Sequence, residues 1–211
     1  MSKNLITEEE IKKIMENPGK IKGSAFKGEL EYILEKKGEE GLKAVAKETE
    51  RLGYPIKYRE IKETEWYPLG LKMVSLFATL ATFNWGKKEL AEIAKSSAKV
   101  SFIIRLFLRH FISPEKVFRI AAPRLWKRYF NLGSLEPSDF YNVEKKGGGG
   151  QGILRIKNFK LHPLYCFYLS HFFKGIANLT ESRFKEVTLE ETKCMFRGDN
   201  YQEYLMKWIY Y

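Results

Sequence analysis

The residues in this chain that could do chemistry are few. There are two cysteines, Cys166 and Cys194, three histidines, His110, His162 and His171, and a run of four glycines from Gly147 to Gly150. The densest stretch is 191–208, ETKCMFRGDNYQEYLMKW, where Cys194 stands four residues before a Gly-Asp pair. A thiol there acts as a nucleophile or metal ligand only if a base or further ligands converge on it. No CxxC, HxxxH, HExxH or GxSxG is present to supply them. Cys166 and His171 are five apart and so fall on different faces of a helix. The spacing predicts packed core residues at these positions and no metal site. A phosphate loop at the glycines would need a helix start after it. Instead Gln151 to Ile156 alternates as a strand does, so the run is expected as a hairpin turn. Carboxylate pairs such as Glu9-Glu10 and Glu190-Glu191 lie in charged segments. No catalytic motif is present, and the chain reads as a non-enzyme.

The elements that must position these residues follow from periodicity. Thr7 and Glu10 resemble a capping box opening a helix over about 7–16, stopped by Asn17-Pro18-Gly19. Phe26, Leu30, Ile33 and Leu34, then Leu42, Val45, Ala46 and Thr49, predict two helices in tandem over 24–52, parted at Gly38. A helix from Pro68 buries Leu69, Met73, Leu76, Phe77 and Leu80 and carries Lys72 on its flank. Another spans about 87–111, and a further stretch over 114–130 is divided by Pro123. Strands are expected over 140–146 and 152–159, then a helix over 163–179 with Leu164, Phe167, Tyr168, His171 and Phe172 on one side. Two more strands, 184–196 and 201–211, join through Arg197-Gly198-Asp199-Asn200. The order predicts an α+β fold: N-terminal helices and one later helix packed on a four-stranded antiparallel sheet made of two hairpins. Residues 1–20 read as a helical arm and 21–211 as one domain.

Composition narrows the partners. A chain of 211 residues, 44% hydrophobic and 15% aromatic, can bury a large core. Its net charge of +11 suits an anionic partner, whether nucleic acid, an acidic membrane surface or an acidic protein. The charge concentrates at 101–130, where Arg105, Arg109, Lys116, Arg119, Arg124, Lys127 and Arg128 interleave with aromatic residues and meet one acid, Glu115. That pattern fits either a nucleic-acid or membrane contact or the outer face of an amphipathic helix pair. The N-terminus has no apolar signal core, and the longest apolar stretch, 69–83, is short for a membrane span. A cytoplasmic protein is expected. Only two glutamines beside abundant Lys and Glu is a bias of proteins from hot environments.

Gly23-Ser24-Ala25-Phe26 opening the helix in KGSAFKGELEYILEKKG resembles the start of haem-nitric-oxide/oxygen-binding domains. It is similar too to a myxobacterial family of small proteins with a GYP…YP region, matched here by Gly53-Tyr54-Pro55 and Tyr67-Pro68. In that family a basic helix leads to Asn-x-Gly, matched by Asn131-Leu132-Gly133. The tail resembles the vinyl reductase domain, whose ending runs E-x-x-C-x-x-x-G-D-x-x-C-x-F. Glu191, Cys194, Gly198 and Asp199 fit that ending, while Gln202 replaces the second cysteine and Tyr204 the phenylalanine. These groups share a superfamily with the Golgi vesicle-tethering subunits. The resemblance implies a helix-plus-sheet domain with an internal apolar pocket for haem, an acyl chain or another hydrophobic molecule, and it implies homodimers. Haem use in the family implies a proximal histidine, for which His110 is loosely placed. It also implies a Tyr-x-Ser-x-Arg motif, which Tyr141-Asn142-Val143-Glu144-Lys145 does not match, so haem is not expected. Zinc is not expected either, with Gln202 in place of the second cysteine.

The function expected is a binding or sensor module for a hydrophobic or lipid-like small molecule. Its walls are expected from Met73, Phe77, Leu80, Ile104, Leu108, Phe167 and Phe172, with Arg105 or Arg109 meeting an anionic head group. The alternative is an adaptor that binds nucleic acid or an acidic surface through 101–130.

Overall fold

The computed structural model describes residues 6–100, 116–143, 148–179 and 184–211. Helix α1 (Glu8–Met15) starts at Thr7, whose Oγ1 accepts from the Glu10 amide at 3.2 Å while its own N–H donates to Glu10 Oε2 at 2.8 Å. Both bonds satisfy amides that a helix start leaves unpaired. Ile11 and Ile14 turn inward, 2% and 5% exposed. Strand β1 (Lys20–Lys22) pairs antiparallel with β2 (Trp66–Pro68). Three-residue strands carry no periodicity, and the sequence signals neither.

Helix α2 (Ser24–Arg51) is the predicted tandem, bent at Gly38, where φ is 64° and ψ −167°. Only glycine takes that conformation without strain. Helix α3 (Leu69–Phe83) follows β2 directly and ends at Asn84 in the left-handed region. Lys72, expected on the flank of this helix, is fully buried instead. Its Nζ donates to Glu29 Oε2 of α2 at 2.6 Å, and Glu29 Oε1 accepts from Thr79 Oγ1 at 2.7 Å. Periodicity placed the lysine at the edge of the stripe, and a carboxylate on the facing helix drew it in.

Helix α4 (Lys87–Val100) covers the first half of the expected 87–111 helix, and 101–115 lies outside the described residues. A π-turn (Val117–Ala121) leads into α5 (Ala122–Tyr129). Pro123, at the start of α5, lacks an N–H, so the wider turn ends where the ordinary ladder would have needed it.

Strands β3 (Ser134–Val143), β4 (Gly149–Lys157), β5 (Phe184–Lys193) and β6 (Gln202–Tyr210) form one antiparallel sheet in the order β3-β4-β6-β5. β3 begins earlier than expected and contains Pro137, which lacks an N–H and is tolerated on an edge strand whose outer side pairs with no neighbour. Gly149 and Gly150, expected in the turn, belong to β4, with Gly150 opposite Trp208. A Cβ on Gly150 would lie 2.3 Å from the Trp208 ring, so the glycine there makes room for the indole. Helix α6 (Pro163–Ala177) crosses between the hairpins. Its buried face is Tyr165, Cys166, Tyr168, Leu169, Phe173 and Ile176; of the residues expected to share one side, Tyr168 belongs to it, while Leu164, Phe167, His171 and Phe172 are half-buried. Tyr204, Met206 and Trp208 alternate inward from β6, and Leu154 and Ile156 from β4. The fold is α+β, with six helices among the described residues and a four-stranded antiparallel sheet.

Candidate functional site

The α6 residues Tyr165, Tyr168, Leu169, Phe172, Phe173 and Ile176 recur at helical spacing and form one wall of an internal cavity. Ala122, Leu125, Trp126 and Tyr129 of α5 line it with the same periodicity, and Leu135 of β3, Ser24 and Ala25 at the start of α2 and Ser97 of α4 complete the lining with Phe130. α2 and α4 approach closely here because Gly28 lacks a side chain. A Cβ on it would lie 2.2 Å from the Ser97 backbone. The outer face of α5 carries Arg124, Lys127 and Arg128 to solvent. So one amphipathic helix accounts for both the basic and the aromatic residues in this part of the 101–130 segment.

The cavity holds about 40 Å³, room for on the order of three waters. The described residues that line it are apolar apart from a few hydroxyls. Ser97 Oγ is committed to the Ile93 carbonyl at 2.9 Å. Burial pushes the Tyr165 and Tyr168 phenols up, the latter partly offset by Lys72 and Ser97, so both are neutral donors. Ser24 Oγ is buried without a hydrogen-bond partner. Behind this wall lies the Glu29–Lys72 pair, with Lys72 Nζ 5.6 Å from the Tyr168 ring centre.

A second cluster lies where α6 meets the β5–β6 hairpin. The ligand atoms of Cys166, Glu191 and Cys194 are within 4.8 Å of one another, with both thiols buried. Burial, followed by the neighbouring Cys194 and Glu191, pushes the Cys166 thiol well above its ordinary range. Gln202 Nε2 donates to Glu191 Oε2 at 2.5 Å, while Arg197 pairs with Glu191 Oε1 at 2.8 Å. The Cys194 amide donates to Asp199 Oδ2 at 2.8 Å, and Tyr204 Oη donates to the Cys166 carbonyl at 2.7 Å. The sequence reading paired Cys166 with His171 and set Cys194 against Gln202. It did not join the two cysteines, because no spacing rule links a helix to a turn that follows a later strand.

No model of a known protein family matches the chain, and neither does any curated protein. Solved structures do. An H-NOX protein from S. oneidensis in the Fe(II)NO ligation state aligns with a TM-score of 0.61 at 13% identity, covering 89% of this chain and 99% of that one. An oxygen-binding H-NOX domain related to soluble guanylate cyclases, in its oxygen complex, aligns at 0.58 and 11% identity, covering 90% and 95%. An unliganded Fe(II) H-NOX protein from K. algicida aligns at 0.56 and 16% identity, covering 89% and 96%. The chain has the H-NOX fold.

The H-NOX fold raises haem as a candidate, and the described residues do not fit it. The cavity is far smaller than the roughly 300–1,000 Å³ of sites for larger ligands. None of the described residues that line it is a histidine, cysteine or methionine, the commonest axial ligands. His162 is occupied at the start of α6, where its Nδ1 accepts from the Leu164 amide at 3.1 Å. His171 Nδ1 lies 3.1 Å from the Phe167 carbonyl. His110 lies outside the described residues, as do Ile104, Arg105, Leu108 and Arg109.

Of the expected wall residues, Phe172 lines the cavity. Met73, Phe77 and Leu80 are buried in the core against other partners, Phe77 packing edge-on to His162 at 5.0 Å. Phe167 stacks on His171, away from the cavity. The wall residues missed, Leu125, Trp126, Tyr129, Tyr165 and Leu169, do lie on helical stripes in the sequence. What the stripes do not reveal is which of several apolar faces leaves a gap. Among the described residues no helix is long and apolar enough to cross a membrane.

Proposed function

We propose that this chain is a non-enzymatic binding or sensor module whose cavity between α2, α4, α5, α6 and β3 takes a compact, mostly apolar molecule with one hydrogen-bonding group. The observation that carries this reading is the Ser24 hydroxyl, buried in the lining without a partner. A buried hydroxyl with no bond costs on the order of 1–3 kcal/mol, which a ligand group would recover. The H-NOX fold supports the reading, since the similar structures include NO-ligated and oxygen-bound proteins. The size of the cavity favours a compact ligand over an acyl chain. Even a benzene-sized guest needs it to widen by rotation of Phe172 or Trp126, as a ring fills a cavity of roughly 150 Å³.

The test is thermal unfolding of the full chain with benzyl alcohol, toluene, palmitate and haemin, checked by native mass spectrometry. Benzyl alcohol should raise the melting temperature more than toluene, and Ser24→Ala should remove that difference. A ligand at a hundred times its Kd stabilises the folded chain by about 2.7 kcal/mol. The proposal fails if neither compact probe binds at millimolar concentration. It also fails if palmitate or haemin binds one to one in their place.

A further inference from the structure

The outer face of the π-turn and α5 is basic along its whole length. Lys116, Arg119, Ile120, Arg124, Lys127 and Arg128 are exposed on it, while the residues between them turn into the core. No Asp or Glu occurs between Glu115 and Glu136 to balance these cations. The end of α5 runs on to β1. There the Asn131 amide donates to the Lys20 carbonyl at 3.2 Å, and the Lys20 amide donates to Asn131 Oδ1 at 2.5 Å. Ile21 is fully buried, so strand alternation turns Lys20 and Lys22 outward and the strip continues through them. Lys22 Nζ lies over the Trp66 ring of β2, 4.1 Å from its centre. Glu63, Glu65 and Glu136, the acids that flank these segments, pair with Lys27, Lys62 and Lys157.

Two exposed apolar side chains decide which kind of anionic partner fits. Ile120 is 43% exposed among the α5 cations, and Trp66 is 40% exposed where the strip ends on β2. An aliphatic side chain gains little against a phosphodiester backbone. Among lipid head groups it is partly buried, and an indole favours that depth. Single-stranded nucleic acid would need rings to stack on. Trp126 and Tyr129 of this helix are turned inward instead, 3% and 6% exposed.

We propose that this strip docks the protein on a membrane surface that carries anionic lipid. Arg124, Lys127 and Lys20 meet the head groups, with Ile120 and Trp66 set among them. The apolar side of α5 stays packed in the core, so the contact is peripheral. Each cation held near such a surface contributes roughly fivefold in affinity. This inference does not depend on the cavity binding anything.

The test is sedimentation of the full chain with vesicles of phosphatidylcholine, alone or mixed with phosphatidylserine. Binding is expected to the mixed vesicles only, and it should weaken as salt is raised. Arg124→Gln/Lys127→Gln should weaken it about 25-fold, two steps of roughly fivefold. Lys47→Gln/Lys88→Gln, which removes two exposed lysines of α2 and α4, should weaken it far less. Brominated lipid in the mixed vesicles should quench tryptophan fluorescence, and Trp66→Phe should remove most of that quenching. Equal losses in the two double variants overturn the strip, because net charge alone would then explain the binding. Failure to bind the mixed vesicles overturns the proposal, as does tighter binding to a DNA oligonucleotide than to those vesicles. Quenching unchanged in Trp66→Phe overturns the orientation.

Discussion

Replacing Lys72 with methionine tests how the interior of this fold is held. Lys72 and Glu29 are both 0% exposed, and Glu29 has Lys72 on one oxygen and Thr79 on the other. Met fills nearly the same volume, so the packing against Phe26 and Tyr168, whose rings lie 5.3 and 5.6 Å from Lys72 Nζ, is largely retained. What is lost is the charge partner. A buried carboxylate left with a single hydroxyl donor should cost about 3–5 kcal/mol. That is a large share of the roughly 5–15 kcal/mol that holds an ordinary domain together. The double variant Glu29→Leu/Lys72→Met removes both charges. It should recover most of the loss, apart from about 1–3 kcal/mol for the Thr79 hydroxyl left without its acceptor. Urea unfolding followed by circular dichroism gives the values for Glu29→Leu, Lys72→Met and the double variant, and the double-mutant cycle isolates the pair. A loss below about 1 kcal/mol in Lys72→Met would refute the reasoning. So would a double variant as unstable as the two single losses added together.

Three further outcomes are expected. Gly150→Ala places a Cβ 2.3 Å from the Trp208 ring and 2.5 Å from the Tyr141 carbonyl, which should cost about 1–3 kcal/mol by overpacking. A lowered guanidinium midpoint with altered tryptophan fluorescence would show this, and an unchanged midpoint would mean the indole does not pack over this strand. Thr7→Ala removes the capping box of α1 and should cost about 1 kcal/mol. The loss should appear as faster amide exchange confined to α1. Burial holds His162 and His171 below their ordinary value of 6.5. The folded chain therefore binds fewer protons than the unfolded one in the window just below that value. Their contribution to stability is complete above pH 6.5 and falls as the pH drops through 6.5 toward the folded values. His162→Asn keeps an acceptor for the Leu164 amide and should flatten the fall in melting temperature. An equally steep fall in that variant would assign it to other groups.

Fold and site differ in how much of each could be read from the sequence, and the difference lies in how far apart along the chain the deciding partners are. The α2 bend was visible because Gly38 interrupts an otherwise regular stripe, and β6 because Tyr204, Met206 and Trp208 alternate within one short run. These are local facts. Lys72 was misplaced because the carboxylate that buries it lies 43 positions away. The buried face of α6 was misread by one step for a related reason. Tyr168 was read on the right side, whereas Tyr165, one step off the expected stripe, is a wall residue because α5 residues line the same cavity opposite it. The cavity is the residue of several such decisions, a gap left where helices with unlike stripes meet, so no single stripe announces it. The cysteine cluster is the extreme case. Glu191, Cys194 and Gln202 share one hairpin and were read together. Cys166 reaches them only because α6 crosses that hairpin, where Tyr204 bonds to its carbonyl across 38 positions of sequence. The sequence reading therefore saw Gln202 beside Cys194 and Glu191, and not the second thiol that α6 brings to them.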